Sequence, residues 1–317
     1  MADARHPDAT LAIGEVHTAL LRSSTALSAK ASEWLLSTAG GESVLRHERP
    51  MLHVVSPPAL IGVDCQLATA SSTKARVIGT VAAEVSITGG HVVQGRAVAR
   101  VTPGLHTRRL DWAHYLTRPG WIEMIGRPTV NDVVDGFLVA TDRESLDLGA
   151  VAARAIANVQ QATNLDGQVP FRVERTRLRW AFVPAAEPPS PHFRIERDGL
   201  RTLVIQGDTG LEPVAEFAAD LALHDWMLNA LLRLVERSSI GNDDQWFVVR
   251  QLRPVVNHLL HLWMPAARGD ELAAALWAHL ERRPGLTRQW DALVNRVRDQ
   301  LALGAIAAMR QRLGEAV

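Results

Sequence analysis

The stretch Arg76–Val101, RVIGTVAAEVSITGGHVVQGRAVARV, decides the fold of the chain around it. Apolar residues recur at every second or fourth position on both sides of a central Thr-Gly-Gly, which is typical of half-buried β-strands. The first apolar set is Val77, Val81, Val85 and Ile87, and the second is Val93, Ala97, Ala99 and Val101. The stretch therefore predicts a β-hairpin with one apolar face.

The length of the hairpin loop decides whether the two apolar sets share that face. A two-residue Gly-Gly loop would place Ile87 opposite Val92 and put the sets on opposite faces of the sheet. A three-residue loop, Thr88–Gly90, pairs Val85 with Val93 and puts both sets on the same face. We therefore expect a three-residue loop in which a glycine adopts the left-handed conformation and forms a bulge.

Further strands and helices are expected on both sides of the hairpin, which makes the first two thirds of the chain rich in β-structure. The signals are alternating apolar residues, a Gly-Gly or Asp-Gly break, and alanine-rich helical spacing. We predict a strand at Leu11–Thr18, helices at Leu27–Thr38 and Leu148–Gln161, and a strand pair at Phe171–Val183 and Phe193–Gln206, the latter folded at Arg197-Asp198-Gly199.

The last third of the chain has a different period. From Glu212 onward, apolar residues follow a three-four spacing over more than six turns, which predicts an amphipathic helix of about 26 residues. Further helices are predicted at Gln245–Trp263, kinked or restarted at Pro254, at Leu272–Arg282 and at Leu286–Leu313. The short loops between them favour an antiparallel bundle. We therefore expect an α+β protein with a β-rich domain at 1–208 and an all-helical domain at 209–317.

Composition excludes several classes of protein. The 317 residues include 34 basic and 34 acidic side chains, so a general nucleic-acid binder, which needs an excess of cations, is not expected. The apolar runs are too short to span a bilayer, and no targeting signal precedes residue 10, so we expect a cytoplasmic protein without a membrane partner. Cys65 is the single cysteine, and an apolar setting favours a small buried hydrophobe over a nucleophile.

Familiar catalytic motifs are missing from the sequence, but a histidine constellation in the helical third could bind a metal. His224-Asp225 is an adjacent pair, and His258 and His261 lie three residues apart on one helix face. An HD pair in a helical domain resembles the metal-dependent HD phosphohydrolases, in which such ligands activate water. That family has a further histidine upstream on its own helix, whereas the nearest one here, His192, lies in a proline-rich segment. The alternative to metal binding is a structural role, in which His224 is a hydrogen-bonded histidine of the hydrophobic core.

A row of arginines forms the second candidate site. Arg175, Arg177 and Arg179 alternate along a predicted strand, so their side chains project from one face of the sheet. Such a row could bind a carboxylate- or phosphate-bearing partner. The alternative is a solvated sheet face that discourages edge pairing.

Several segments together resemble a family of uncharacterised actinobacterial proteins encoded beside a variant P-loop protein and a putative SAM-dependent methyltransferase. The segments are Gly14-Glu15-Val16-His17-Thr18, Gly62-Val63-Asp64-Cys65, Thr88-Gly89-Gly90, Arg175-Thr176-Arg177-Leu178-Arg179-Trp180 and Leu221-Ala222-Leu223-His224-Asp225-Trp226. The family carries no assigned activity, so the resemblance implies a setting among other proteins and assigns no functional residue.

These observations lead to two functional expectations. The first is a non-enzymatic scaffold or adaptor without a cofactor, in a cytoplasmic multi-protein system whose members include a P-loop nucleotide-binding protein. The second is a metal-dependent phosphohydrolase that uses His224, Asp225, His258 and His261.

Overall fold

The computed structural model of the chain describes residues 11–37, 43–71, 73–104, 108–139, 145–238, 245–267 and 269–314. Its strands are β1 Leu11–Leu20, β2 Leu45–His47, β3 His53–Val55, β4 Ala59–Leu67, β5 Ala75–Thr88, β6 Val92–Pro103, β7 Trp121–Ile125, β8 Thr176–Pro184, β9 Ser190–Ile195 and β10 Arg201–Gly207. Its helices are α1 Ala29–Leu36, α2 Trp112–Leu116, α3 Val130–Val139, α4 Leu148–Gln160, α5 Leu211–Arg237, α6 Gln245–His258, α7 Glu271–Arg282 and α8 Leu286–Gly314. The class is α+β, as the sequence predicts.

The ten strands of the described residues form one sheet, in the order β2-β3-β5-β7-β6-β1-β8-β10-β9, with β4 also paired to β5. Most neighbouring strands are antiparallel, and the parallel pairs are β6–β7 and β8–β10. Strand β1 lies near the centre of the sheet and is antiparallel to both β6 and β8. In the sequence, β6 lies about 80 residues and β8 about 165 residues after β1, so the first strand pairs with two distant segments of the chain.

Strands β5 and β6 form the predicted hairpin, with a register that differs from the expected one. The three-residue turn is Gly89–His91 instead of Thr88–Gly90, because Thr88 stays in the ladder opposite Val92. Val93 therefore faces Ile87 and not Val85. Val93 thus faces a residue two positions later than expected, and because two is an even number both apolar sets still share one face of the sheet. The turn glycines Gly89 and Gly90 adopt positive φ values of 59° and 68°.

The strand pair expected near residues 171–206 also forms with changes. Strand β8 begins at Thr176 rather than at Phe171, and the Asp-Gly signal at residues 198–199 turns β9 back into β10. Strand β10 pairs with β8 in the parallel sense, so the two are joined by a crossover through β9. The turn after β9 is thereby placed beside the N-terminal end of β8, next to Arg177.

Helices cover both faces of the sheet. Helices α3 and α4, together with α1, pack on the face that carries Ile13 of β1. Helix α5 packs on the opposite face, against Val16 and Trp180. Helices α6, α7 and α8 pack against α5, and none of the helices in the described ranges is long and apolar enough to cross a membrane.

The helical third and the sheet share one hydrophobic core. The shared cluster contains Trp180, Phe182 and Leu203 from the strands and Phe217 and Trp226 from α5. Two polar contacts cross the same boundary: the Gln94 side-chain amide donates to the Ala219 carbonyl at 2.9 Å, and the Trp226 indole donates to the Glu174 carbonyl at 3.1 Å. The predicted domain boundary at 208 falls in the turn between β10 and α5, and the division into two domains stays a prediction.

Candidate functional site

His224 is a core histidine whose two ring nitrogens both have partners. Its side chain is fully buried, and Nδ1 lies 2.8 Å from the Asp220 carbonyl oxygen. The Met264 backbone N–H donates to Nε2 at 3.2 Å. Because Nδ1 donates and Nε2 accepts, the arrangement suits a neutral ring held between α5 and the segment before α7. Both nitrogens are therefore engaged within the protein and not directed at a metal ion.

Asp225 points in a different direction from its neighbour, toward the sheet. Its carboxylate lies 2.6 Å from Nε of Arg201 on β10, and both side chains are buried. Burial raises the pKa of Asp225, although the Arg201 guanidinium counteracts that effect. Adjacent helix positions are about 100° apart, so His224 and Asp225 serve different packing surfaces.

His258 and His261 lie near a histidine of the hairpin turn. The His258 ring nitrogen Nδ1 is 2.9 Å from Nε2 of His91, and the two rings meet edge to face. Within the described ranges, no group of three His, Cys, Asp or Glu side chains lies close enough to share a metal ion. The structure thus separates the four predicted metal ligands into three different contacts.

The three arginines of the predicted row have three different environments. Arg175 precedes β8 and is exposed, and its partial desolvation together with the nearby Arg22 guanidinium lowers its pKa. Arg177 pairs across 3.3 Å with Asp198, and both side chains are largely exposed. Arg179 lies beneath α3 with 12% of its side chain exposed, and its guanidinium contacts the Phe137 ring and carbonyl. The row is therefore not a uniformly solvated face of the sheet. Arg177 forms an exposed ion pair with Asp198, whereas Arg179 pairs with the buried Glu15.

A buried cluster of Glu15, His17 and Arg179 lies on the α3–α4 face of the sheet. Strand pairing places Glu15 opposite Arg179 and His17 opposite Arg177. The Glu15 carboxylate accepts from Arg179 Nε at 2.8 Å through one oxygen, and the other oxygen lies 3.0 Å from His17 Nε2. Only 1% of Glu15 and 6% of His17 is exposed. The cluster is thus a buried carboxylate held by two cationic or proton-donating partners.

The Glu15 carboxylate is kept ionised by its neighbours. Burial favours the neutral acid, but the His17 hydrogen bond and the Arg179 charge outweigh burial, and the pKa of Glu15 lies below its usual value. The N-terminus of α4 abuts the carboxylate at Gly149, where a Cβ would overlap the Glu15 side chain. The helix dipole at this end of α4 also favours a negative charge.

A cleft of about 780 Å³ opens above this cluster, and we call it the Glu15 cleft. Its walls are the C-terminal end of α3, the N-terminal end of α4 and the turn between β9 and β10. Its charged lining residues are Arg177, Arg179, Arg197, Glu15, Asp147, Glu196 and Asp198. In volume it falls in the range of small-molecule sites.

Glu15 and His17 are site residues that the sequence reasoning missed. The sequence feature that could have indicated them is a pair of polar residues, two positions apart, on the face of β1 that also carries the buried Ile13. Cys65, by contrast, lies half-buried on β4, where burial and the Asp64 charge raise the pKa of its thiol. The thiol is therefore poorly suited to act as a nucleophile.

The C-terminal part of α8 carries an exposed apolar surface. Residues Leu301–Met309, LALGAIAAM, contain no charged side chain, and we call them the α8 apolar segment. Leu303 and Ile306 are 48% exposed, and Met309 is 65% exposed. The earlier part of α8 instead buries Trp290, Val294 and Val297 against the other helices, and Leu301 still packs partly against the same cluster.

Comparison with known proteins adds no relative. A scan of the chain against protein-family models matched none, and searches of curated proteins and of solved structures returned no match.

Proposed function

We propose that the chain is a non-enzymatic adaptor that holds another protein through the α8 apolar segment. The observation that carries this proposal is the exposure of Leu303, Ile306 and Met309 along nine uncharged helical residues. Contiguous exposed apolar surface in a water-soluble protein costs free energy, and such surface marks interaction sites. A partner that buries these side chains would recover that free energy.

Helix geometry supports a helical or grooved partner surface. Residues three apart project from neighbouring positions on one side of a helix, so Leu303, Ile306 and Met309 present a continuous stripe. An apolar stripe of this kind is recognised by a hydrophobic groove or by a second amphipathic helix. The charged residues that flank the segment, Asp299 and Arg310, lie at its two ends and limit its length.

The partner that we propose is the cytoplasmic P-loop nucleotide-binding protein of the gene neighbourhood that the sequence resemblance implies. An adaptor needs no catalytic centre of its own. The proposal is consistent with the absence of P-loop and GxSxG motifs from the sequence and with the engagement of His224 and Asp225 by neighbouring protein groups.

The test is co-expression of the full chain with the neighbouring P-loop protein, followed by affinity capture and titration calorimetry. We expect a one-step co-purification that Leu303→Glu and Ile306→Glu each weaken by about tenfold or more, since each places a charge against apolar surface. Leu116→Glu, at an exposed leucine of α2, is the matched control and should leave binding unchanged.

Two results would overturn the adaptor proposal. One is equal affinity of the wild type and both α8 variants for the P-loop protein, or no binding at all. The other is a wild-type dimer in light scattering that the α8 variants convert to a monomer, because the apolar segment would then be covered by a second copy of the chain.

A further inference from the structure

The floor of the Glu15 cleft contains a buried nitrogen without a hydrogen-bond partner. Within the described residues, His17 Nδ1 has no partner, although the side chain is buried and lines the cleft. The Glu15 carboxylate accepts hydrogen bonds, so His17 Nε2 is the atom that donates to it, and in the tautomer with the proton on Nε2 the Nδ1 atom presents a lone pair. An unsatisfied buried polar atom of this kind is unfavourable for the folded state. Nδ1 has almost no accessible surface, so a ligand N–H or O–H group reaches it only when the neighbouring side chains shift.

The rim of the cleft offers charges of both signs. Arg177 and Asp198 form an exposed pair, which contributes little to stability and can exchange for ligand contacts. Arg197 and Glu196 are exposed neighbours on the turn after β9, and neither forms an ion pair with a residue in the described ranges. The rim therefore has guanidinium groups available for a carboxylate and a carboxylate available for an amine.

The count of charges argues against a simple anion as the ligand. Among the described residues, the cleft is lined by three arginines, at positions 177, 179 and 197, and by four carboxylates, at positions 15, 147, 196 and 198. Arg179 is already committed to the buried Glu15. A multiply charged anion such as a nucleoside triphosphate would meet more negative than positive charge, whereas a ligand with both charges would meet a partner for each.

We infer that the Glu15 cleft binds a zwitterionic small molecule, an amino acid or a short peptide. Its carboxylate lies at Arg177 and Arg197, and its ammonium group lies at Glu196. The volume of about 780 Å³ accommodates more than a single small amino acid. This site faces away from α5 and is separate from the α8 apolar segment, so it does not depend on the adaptor proposal.

The first test is a thermal-shift and calorimetry screen of the full chain with the twenty proteinogenic amino acids and a panel of di- and tripeptides. Acetate, inorganic phosphate and methylamine, each of which carries charge of only one sign, serve as comparators at the same concentrations. We expect at least one zwitterion to raise the Tm and to give a measurable Kd, while the comparators do neither. No stabilising zwitterion, or equal stabilisation by acetate or phosphate, would overturn the inference.

The second test locates binding within the cleft. Arg177→Gln and Glu196→Gln should each weaken the ligand by about tenfold or more, as expected for the loss of one charge-assisted contact. Arg194→Gln, on β9 outside the cleft lining, is the matched control and should keep the wild-type Kd. Circular dichroism shows which variants are folded, and the ¹⁵N shift of His17 Nδ1 provides a readout without substitution. An unchanged shift at saturation, or unchanged affinity in both cleft variants, would contradict this location.

Discussion

At the scale of single residues, buried ion pairs join distant parts of the chain. Asp225 on α5 pairs with Arg201 on β10, and Glu15 on β1 pairs with Arg179 on β8. Removing one member of such a pair leaves an uncompensated buried charge, and that loss is larger than the net contribution of the pair itself. Each pair therefore constrains both of its positions.

The Arg201–Asp225 pair gives a prediction about stability. Arg201→Met leaves the Asp225 carboxylate buried without a counter-charge, and we expect a loss of about 3–5 kcal/mol in the free energy of unfolding at pH 7. The double variant Arg201→Met/Asp225→Leu should recover most of that loss because no charge remains. Urea unfolding of the two variants and the wild type measures both values.

The pH dependence of the Arg201→Met variant checks the cause of this loss. Burial already raises the pKa of Asp225 in the wild type, and removal of Arg201 should raise it further. A carboxyl group with a raised folded-state pKa loses stability as the pH rises, so the deficit of the variant should be smaller at pH 4 than at pH 7. An equal deficit at both pH values would point to lost packing instead.

Gly149 gives a prediction in which two effects have opposite signs. Helix propensity alone favours alanine over glycine by about 1 kcal/mol inside a helix. A Cβ at position 149, however, overlaps the Glu15 carboxylate, and overpacking costs about 1–3 kcal/mol. We expect Gly149→Ala to destabilise the protein in denaturant unfolding. Gly304→Ala, in the α8 apolar segment, is the matched control and should stabilise it slightly.

At the scale of elements, the hairpin turn between β5 and β6 ties the sheet to surrounding segments. The Gly90 carbonyl accepts a hydrogen bond from the Leu27 backbone N–H at 3.0 Å, and the His91 carbonyl accepts from Leu21 at 2.7 Å. The His91 ring contacts His258 on α6, and Leu262 lies against Gly89. A turn that looks local in sequence thus packs against both the N-terminal segment and the helical third.

The histidines at this turn predict a pH dependence of stability. Burial, together with the charges of His258 and His261, lowers the pKa of His91 to about 4. The unfolded chain takes up the proton near the ordinary pKa of about 6.5, so stability should fall as the pH drops from 6.5 toward 4. His91→Gln removes the titrating group and should flatten the dependence of Tm on pH in this window.

An exposed histidine provides the comparison for this pH experiment. His279 lies on the surface of α7, and its ring contacts the Ala275 carbonyl of the same helix. His279→Gln should retain the wild-type slope of Tm between pH 6.5 and 4. If His91→Gln and His279→Gln change the slope equally, the buried contact at the hairpin turn is not its source.

At the scale of the whole molecule, the helical third completes the hydrophobic core of the sheet. Trp180, Leu203 and Ile205 on the strands are buried by α5 side chains such as Phe217 and Leu221. Burying a large apolar side chain contributes about 1.5–3 kcal/mol, and a domain is stable by only about 5–15 kcal/mol. Loss of several such contacts exceeds that margin.

The shared core predicts that residues 1–208 do not fold alone. We expect the 1–208 fragment to lack a cooperative thermal transition and to bind a hydrophobic dye, because one face of its sheet is uncovered. In the full chain, tryptophan fluorescence and far-ultraviolet circular dichroism should report a single coincident unfolding transition. A fragment that unfolds cooperatively would support the division into two domains at residue 208.

The elements themselves were largely predictable because their signals are local. Helix α5, at Leu211–Arg237, matches the three-four spacing that begins at Glu212, and α4 at Leu148–Gln160 matches its alanine-rich pattern. The hairpin register was displaced by one residue on each strand because the sequence favours a three-residue loop without specifying where the loop begins. The tertiary contacts of Gly89–His91 select the later position.

The candidate site was only partly predictable. Alternation along the strand indicates that Arg177 and Arg179 share a face, and strand pairing in the structure places them on the same face. Nothing local indicates that Glu15 and His17 lie opposite these arginines, since the pairing joins positions more than 150 residues apart. The metal hypothesis relied on spacing along helices, whereas His224 and Asp225 project toward different neighbours.

The sequence by itself determined the fold class, the helical third and the two-residue period of the central hairpin. Periodicity and turn residues are features of short stretches of sequence, so they do not depend on contacts with distant segments. Only the tertiary structure decided which strands are neighbours, that α4 approaches Glu15 at a glycine, and that a cleft with charges of both signs opens beside His17. The physical reason is that burial and ion pairing depend on distances between atoms in space. In this protein those distances are set by a sheet whose central strand pairs with distant segments of the chain.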